Sequence, residues 1–94
     1  MPWAGFVKPI YIMIPSIGRV VIYNTTEEEQ QKMRDMGSCN VQEKLPATVV
    51  AVWGDTEESA INLNVHLDGE GSFWVTSALK GDEPGQWNWP VIKK

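Results

Sequence analysis

Few side chains in this sequence can do covalent chemistry near neutral pH. There is one histidine, His66, and one cysteine, Cys39. His66 alternates with Asn64 and Asp68, so it belongs to the outward face of a strand, either as a solvated histidine or as one that faces a ligand. No Gly-x-Ser-x-Gly turn is present to expose a nucleophilic serine. Nothing adjacent to Cys39 would lower its thiol pKa. His66 and Asp68 are two ligand types on one face, but no His-x₃-His, Cys-x₂-Cys or calcium-loop spacing accompanies them. Gly69-Glu70-Gly71 is acidic and follows no phosphate-loop pattern. The expectation is a protein that is not an enzyme, with no metal and no cofactor.

Non-covalent chemistry is better supplied. Trp53, Trp74, Trp87 and Trp89 exceed what a core of this size requires. Each indole offers a flat stacking face and one N–H donor. Stacking a nucleobase on such a face is worth about 1–3 kcal/mol. In Gly85-Gln86-Trp87-Asn88-Trp89-Pro90 the two tryptophans are i and i+2, so an extended backbone sets them side by side with Asn88 on the other face. Arg19 adds a planar fork suited to phosphate. The ligand-binding set read from the sequence is Arg19, Tyr23, Asn62, Asn64, His66, Trp74, Trp87, Asn88 and Trp89. The competing reading is a tryptophan-rich core with a subunit interface, and for Arg19 a structural ion pair or a clamp on backbone carbonyls.

These residues need elements to position them. Ile10–Ile14 is β-branched and apolar on both faces, which predicts a strand, broken by Pro15-Ser16-Ile17-Gly18. Arg19–Tyr23 follows as a second strand, with Arg19, Val21 and Tyr23 on one face and Val20 and Ile22 on the other. Residues Asn24–Gly37 are the helical candidate, with Thr26 and Glu29, or Thr25 and Glu28, as a capping box and Gly37 past its end. Only Met33 and Met36 give it an apolar side, so it reads as a surface helix or a long loop. Ala47–Trp53 is apolar on both faces and predicts a central strand. Ile61–Asp68 alternates, with Ile61, Leu63, Val65 and Leu67 inward and Asn62, Asn64, His66 and Asp68 outward. Asp68-Gly69-Glu70-Gly71 reads as a hairpin loop leading to a strand at Ser72–Thr76. Pro90 ends the double-tryptophan segment or confines it to a sheet edge. The predicted fold is all-β: a small antiparallel barrel or sandwich of about five or six strands with one inserted helix or loop, and residues 1–8 as a possible arm.

The totals bound the partners. At 94 residues the chain is one domain with little stability to spare, and oligomerisation would help it. Its net charge of -4 comes without a basic stripe, which disfavours nucleic acid as the main partner. A single cysteine forms no intrachain disulfide and fits a reducing cytosol. The apolar run between Pro9 and Pro15 is far short of the ~20 residues that span a bilayer, so no membrane partner is expected.

Two stretches together are familiar. Pro15-Ser16-Ile17-Gly18-Arg19-Val20-Val21-Ile22-Tyr23 resembles the opening PSIGR-(V/I)-V-H-Y of a set of small phage-encoded proteins, and Gly85-Gln86-Trp87-Asn88-Trp89-Pro90 resembles their closing G-T-W-H-W-P. Between them, Ala47–Val52 and Leu67–Trp74 resemble further segments of that set in the same order. This chain differs at Ile22 and Asn88, where the set carries histidines, so no role of those histidines transfers. The resemblance implies a phage protein acting in the cytoplasm of a host cell. By analogy of class with compact phage proteins of this size, the expected function is to bind and sequester a nucleotide-type small molecule, a host immune signal, as a homo-oligomer. The alternative is a protein-binding module that inhibits a host enzyme or serves as a structural adaptor.

Overall fold

The structure is a computed structural model that describes residues 13–37, 41–69 and 71–91. Five strands and one helix follow in the order β1 (Val20–Asn24), α1 (Glu27–Asp35), β2 (Lys44–Trp53), β3 (Ala60–His66), β4 (Ser72–Ala78) and β5 (Trp87–Asn88). They form one sheet in the order β4-β3-β2-β1-β5, with every neighbouring pair antiparallel. The all-β class with one inserted helix is thus observed. The predicted strand at Ile10–Ile14 falls mostly outside the described residues, and Met13 and Ile14 carry no strand. The expected N-terminal arm lies wholly outside them.

One face of the sheet is the core. Val21 and Tyr23 of β1, Leu45, Ala47 and Val49 of β2, and Ile61, Leu63 and Val65 of β3 are all buried on it, with Trp87 of β5 and Met33 of α1. The sheet curls around this face. Tyr23 and Phe73 sit on β1 and β4, three strands apart, about 14 Å in a flat sheet. Their rings nonetheless meet edge to face with centroids 6.4 Å apart. The curl does not close the sheet into a barrel. The two ends touch at one corner, where Trp87 N–H donates to the Leu79 carbonyl (3.0 Å) and Gly81 N–H to the Trp87 carbonyl (2.9 Å).

The helix starts where the first of the two candidate boxes places it. Thr26 Oγ1 accepts from Glu29 N–H (3.1 Å) and Glu29 Oε1 accepts from Thr26 N–H (2.8 Å). Thr25 is buried instead, with its hydroxyl within reach of the Gln42 and Glu43 carbonyls, so the Thr25–Glu28 alternative is closed. No helix among the described residues is long and apolar enough to cross a membrane.

Two bulges break the alternation seen in the sequence. Val50 is an extra residue on β2, and Thr76-Ser77 make the matching irregularity on β4, where Ser77 has φ 54. Alternation from Val49 would turn Trp53 inward. The inserted residue turns it outward, 59% exposed, and Val52 takes the inward place opposite Ile61. Asn62 lies between the two bulges. It is buried, and its Oδ1 accepts from Trp53 Nε1 (3.0 Å), Thr76 Oγ1 (3.2 Å) and Ser77 N–H (2.8 Å). The outward polar residue expected at this position is a structural stitch. The strands also share a compositional feature: none of their residues is aspartate or glutamate, so every carboxylate side chain among the described residues lies on the helix or a loop.

Candidate functional site

The closing motif lies against β1, and the cleft beside it is built by register. Ile22 pairs with Asn88, and Asn24 pairs with Lys44 on the other side of β1. The turn before β5 is fixed by backbone bonds to Asn24: its N–H donates to the Gln86 carbonyl (2.9 Å), and its carbonyl accepts from Gly85 N–H (2.6 Å). Gly85 has φ 86, a region that favours glycine. The result is a cleft of about 330 Å³ at the β1–β5 edge. Ile22, Trp89, Pro90 and Val91 give it apolar walls, and Asn24, Lys44, Asp82 and Asn88 its polar groups. That volume lies at the lower end of the range of small-molecule sites.

The polar groups are held in place. Asn24 is buried, its Nδ2 donates to the Gln86 carbonyl (3.1 Å), and its Oδ1 accepts from Lys44 Nζ (2.6 Å). An ammonium has three donors, so the Lys44 head keeps capacity for an anionic ligand. Asn88 Nδ2 donates to Asp82 Oδ1 (2.8 Å) and its Oδ1 accepts from Trp89 N–H (2.8 Å), which fixes the amide at both ends. A second cleft of about 220 Å³, reaching Glu43 and Pro84, shares Asn24, Lys44 and Asp82, so one cation and one carboxylate stand between two adjoining hollows.

The tryptophan pair is arranged for packing. Trp87 has no exposed surface, and Trp89 meets it edge to face with centroids 5.4 Å apart at 89°. The Arg19 guanidinium lies 4.9 Å from the Trp89 ring centroid. It occupies an indole face that the sequence reading assigned to a base. Trp87 and Tyr23 therefore offer no surface to a ligand, and Tyr23 Oη instead donates to the Glu29 carboxylate at 2.8 and 2.9 Å. Burial first, then that hydrogen bond and the carboxylate charge, raise the Tyr23 pKa above its ordinary 10.0. Both indole N–H groups, of Trp87 and Trp89, are buried without a hydrogen-bond partner among the described residues.

The remaining expected residues lie elsewhere. Asn64, His66 and Trp74 share the outer face of the sheet, with Thr48 next to Asn64 on β2 and Trp74 next to it on β4. His66 Nε2 is 2.8 Å from Thr48 Oγ1. Trp74 is 63% exposed. The fold thus splits the expected set three ways: Asn88 and Trp89 line the cleft, with Arg19 on Trp89; Tyr23, Asn62 and Trp87 are buried; Asn64, His66 and Trp74 stand apart on the outer face. Lys44 and Asp82 were not anticipated. They lie 38 positions apart in the numbering and meet only through the pairing of β1 with both β2 and β5. Among the described residues no group of three or more His, Cys, Asp or Glu side chains is placed to hold a metal ion. No family model matches the chain, and no curated protein or solved structure matches it.

Proposed function

We propose that the chain is a non-enzymatic binding protein that takes a nucleotide-type small molecule into the cleft at the β1–β5 edge and sequesters it. The observation that carries this reading is the composition of that cleft: an indole and a proline wall, one cation held on an asparagine amide, and one carboxylate. A heterocycle would lie against Trp89 and Pro90, a phosphate would meet Lys44, and ribose hydroxyls would donate to Asp82. Lys44 takes the role that the sequence suggested for Arg19. The likeness to the phage set supports the same place, because Ile22 and Asn88, where that set has histidines, are cross-strand partners and both line the cleft. With isoleucine and asparagine there, no histidine lines the cleft. That suits retention of a ligand better than turnover. A phage origin and the sequestering of a host immune signal follow from that likeness and the analogy of class alone.

The test is calorimetry, with tryptophan fluorescence, against a panel of mononucleotides, cyclic oligonucleotides and ADP-ribose-type compounds. Saturable binding that weakens in Lys44→Gln, with the ligand recovered intact, is the expected result. Silence across the panel at tens of micromolar protein would sink the reading. A second reading, a protein-binding module, is favoured by one observation: Val20, Trp53 and Trp74 are half exposed or more on an outer face whose strands carry no carboxylate. Capture of one stoichiometric host protein, lost in Trp53→Ala, would be its mark.

A further inference from the structure

Among the described residues β4 is a free edge of the sheet. Its seven residues, Ser72–Ala78, include no charged side chain and no proline. Exposed edges are ordinarily blunted by charge, proline, a bulge or a covering element, because their unpaired N–H and C=O groups invite another strand. Of these devices β4 has the bulge at Thr76-Ser77, which disturbs only its second half. Ahead of it the strand is regular, with Phe73 opposite Val65 and Trp74 opposite Asn64. Beside that first half a groove of about 210 Å³ runs between the strand and α1, walled by Met33, Met36, Phe73 and Trp74 and rimmed by Glu29 and Lys32.

We infer that this edge pairs with the same edge of a second copy, β4 to β4 and antiparallel over Ser72–Val75, so that two sheets become one. A self-pairing surface must tolerate itself. Like charges facing each other across a ladder are destabilising, and a chain of net charge -4 has many to bring. This strand brings none, and the groove rim holds one acid and one base, so it is neutral toward its own copy. Antiparallel pairing about a two-fold axis uses the same patch on both subunits and needs no other sequence. It would also set each exposed Trp74 beside the other copy's strand, where aromatic cross-strand pairs form, and lead inward-facing side chains into the methionine-lined groove. The β5 edge cannot serve, being two residues long and followed by Pro90. The cleft lies at that opposite edge and stays open in the pair.

The experiment is light scattering and analytical ultracentrifugation of the full chain from micromolar to several hundred micromolar, with circular dichroism to verify folding. A concentration-dependent dimer is expected. Trp74→Lys places like charges near the two-fold axis and should weaken association by about tenfold or more. Val20→Lys, on the outer face of β1, should leave association unchanged. If Trp74→Lys does not fold, Ser72→Lys makes the same test at another exposed position of the strand. A wild-type chain that stays monomeric throughout overturns the inference. So does a dimer that survives the β4 lysines, or one that Val20→Lys dissociates, since the latter would show packing through the outer face.

Discussion

At one end of the sheet β5 is two residues long, ends two residues before Pro90, and is bonded on one side to β1 and on the other to the Leu79–Gly81 backbone. At the other end β4 runs for seven uncharged residues with no strand beyond it among the described residues. The short edge is tied because its polar groups have been absorbed by the chain itself: Asn24 and Asn88 take up carbonyls, amides, Lys44 and Asp82. The long edge keeps its backbone groups available. Buried aromatic weight follows the same division, with Trp87 sealed at the tied edge and Trp74 left in solvent at the free one. The tied edge can hold a small rigid site, and the free edge can take another strand.

The two tryptophans make the sharpest test of this division. Trp87→Ala removes a side chain with no exposed surface that touches Trp89 and anchors β5 to the core, and it should cost about 3–5 kcal/mol. Trp74→Ala, measured in dilute protein where the chain is a monomer, should cost about 0.5 kcal/mol or less. Urea titrations followed by far-UV circular dichroism report both. Equal losses would mean that the edges are not different in kind.

The next effect is on binding. Lys44 Nζ rests on a buried asparagine oxygen, so its position is fixed before any ligand arrives. Lys44→Gln should weaken a phosphate-bearing ligand by about tenfold to a hundredfold, the worth of one hydrogen bond to a charged group. A nucleoside lacking phosphate should bind both proteins alike. Loss of both ligands to the same degree would show that Lys44 shapes the cleft rather than reads the charge.

Between the two edges, Asn62 joins the bulges of β2 and β4 through three donors to one oxygen. Asn62→Ala should cost about 1–3 kcal/mol, because the Ser77 N–H and the Thr76 hydroxyl lose their partner. Asn62→Asp keeps an acceptor oxygen in place and should recover part of it. Thermal melts of the three proteins decide this. Identical melting temperatures would mean that the bulges hold without the stitch.

Asn62 also shows where sequence reading stops. The alternation of β3 was plain: Ile61, Leu63 and Val65 are inward, and their spacing alone says so. The helix start at Thr26 was equally plain, since a capping box is a local bond between residues three apart. A bulge leaves no such mark. It shifts the parity of everything after it, so Trp53 changes face with no change in residue type. The cleft was half legible. Asn88 and Trp89 announced themselves through the paired-tryptophan motif. Lys44 and Asp82 did not, because a lysine at the start of a strand and an aspartate in a loop look like any solvated charges until register brings them to one place. Arg19 suits phosphate by type, but its place over the Trp89 ring was not legible in the sequence.

The smallest effect concerns how α1 is held to the core side of the sheet. Tyr23 donates to Glu29, and Glu29 also accepts from the helix N-terminus at Thr26, so one carboxylate ties β1 to the capping box. Tyr23→Phe keeps the ring against Phe73 and removes only the donor, which should cost about 1 kcal/mol near pH 7. The sign of the pH dependence follows from the raised phenol pKa. The unfolded chain releases the phenolic proton near pH 10, whereas the folded chain holds it above that. The contribution is therefore complete below about pH 10 and is lost as the pH rises from there toward the folded value. Wild-type stability should fall between neutral pH and pH 11 more steeply than that of Tyr23→Phe, and the two curves should converge. Parallel curves over that interval would mean that Tyr23 ionises as freely in the folded protein as in the unfolded one, and that the helix is held by other contacts, such as Met33 and the Gln30–Thr25 bond.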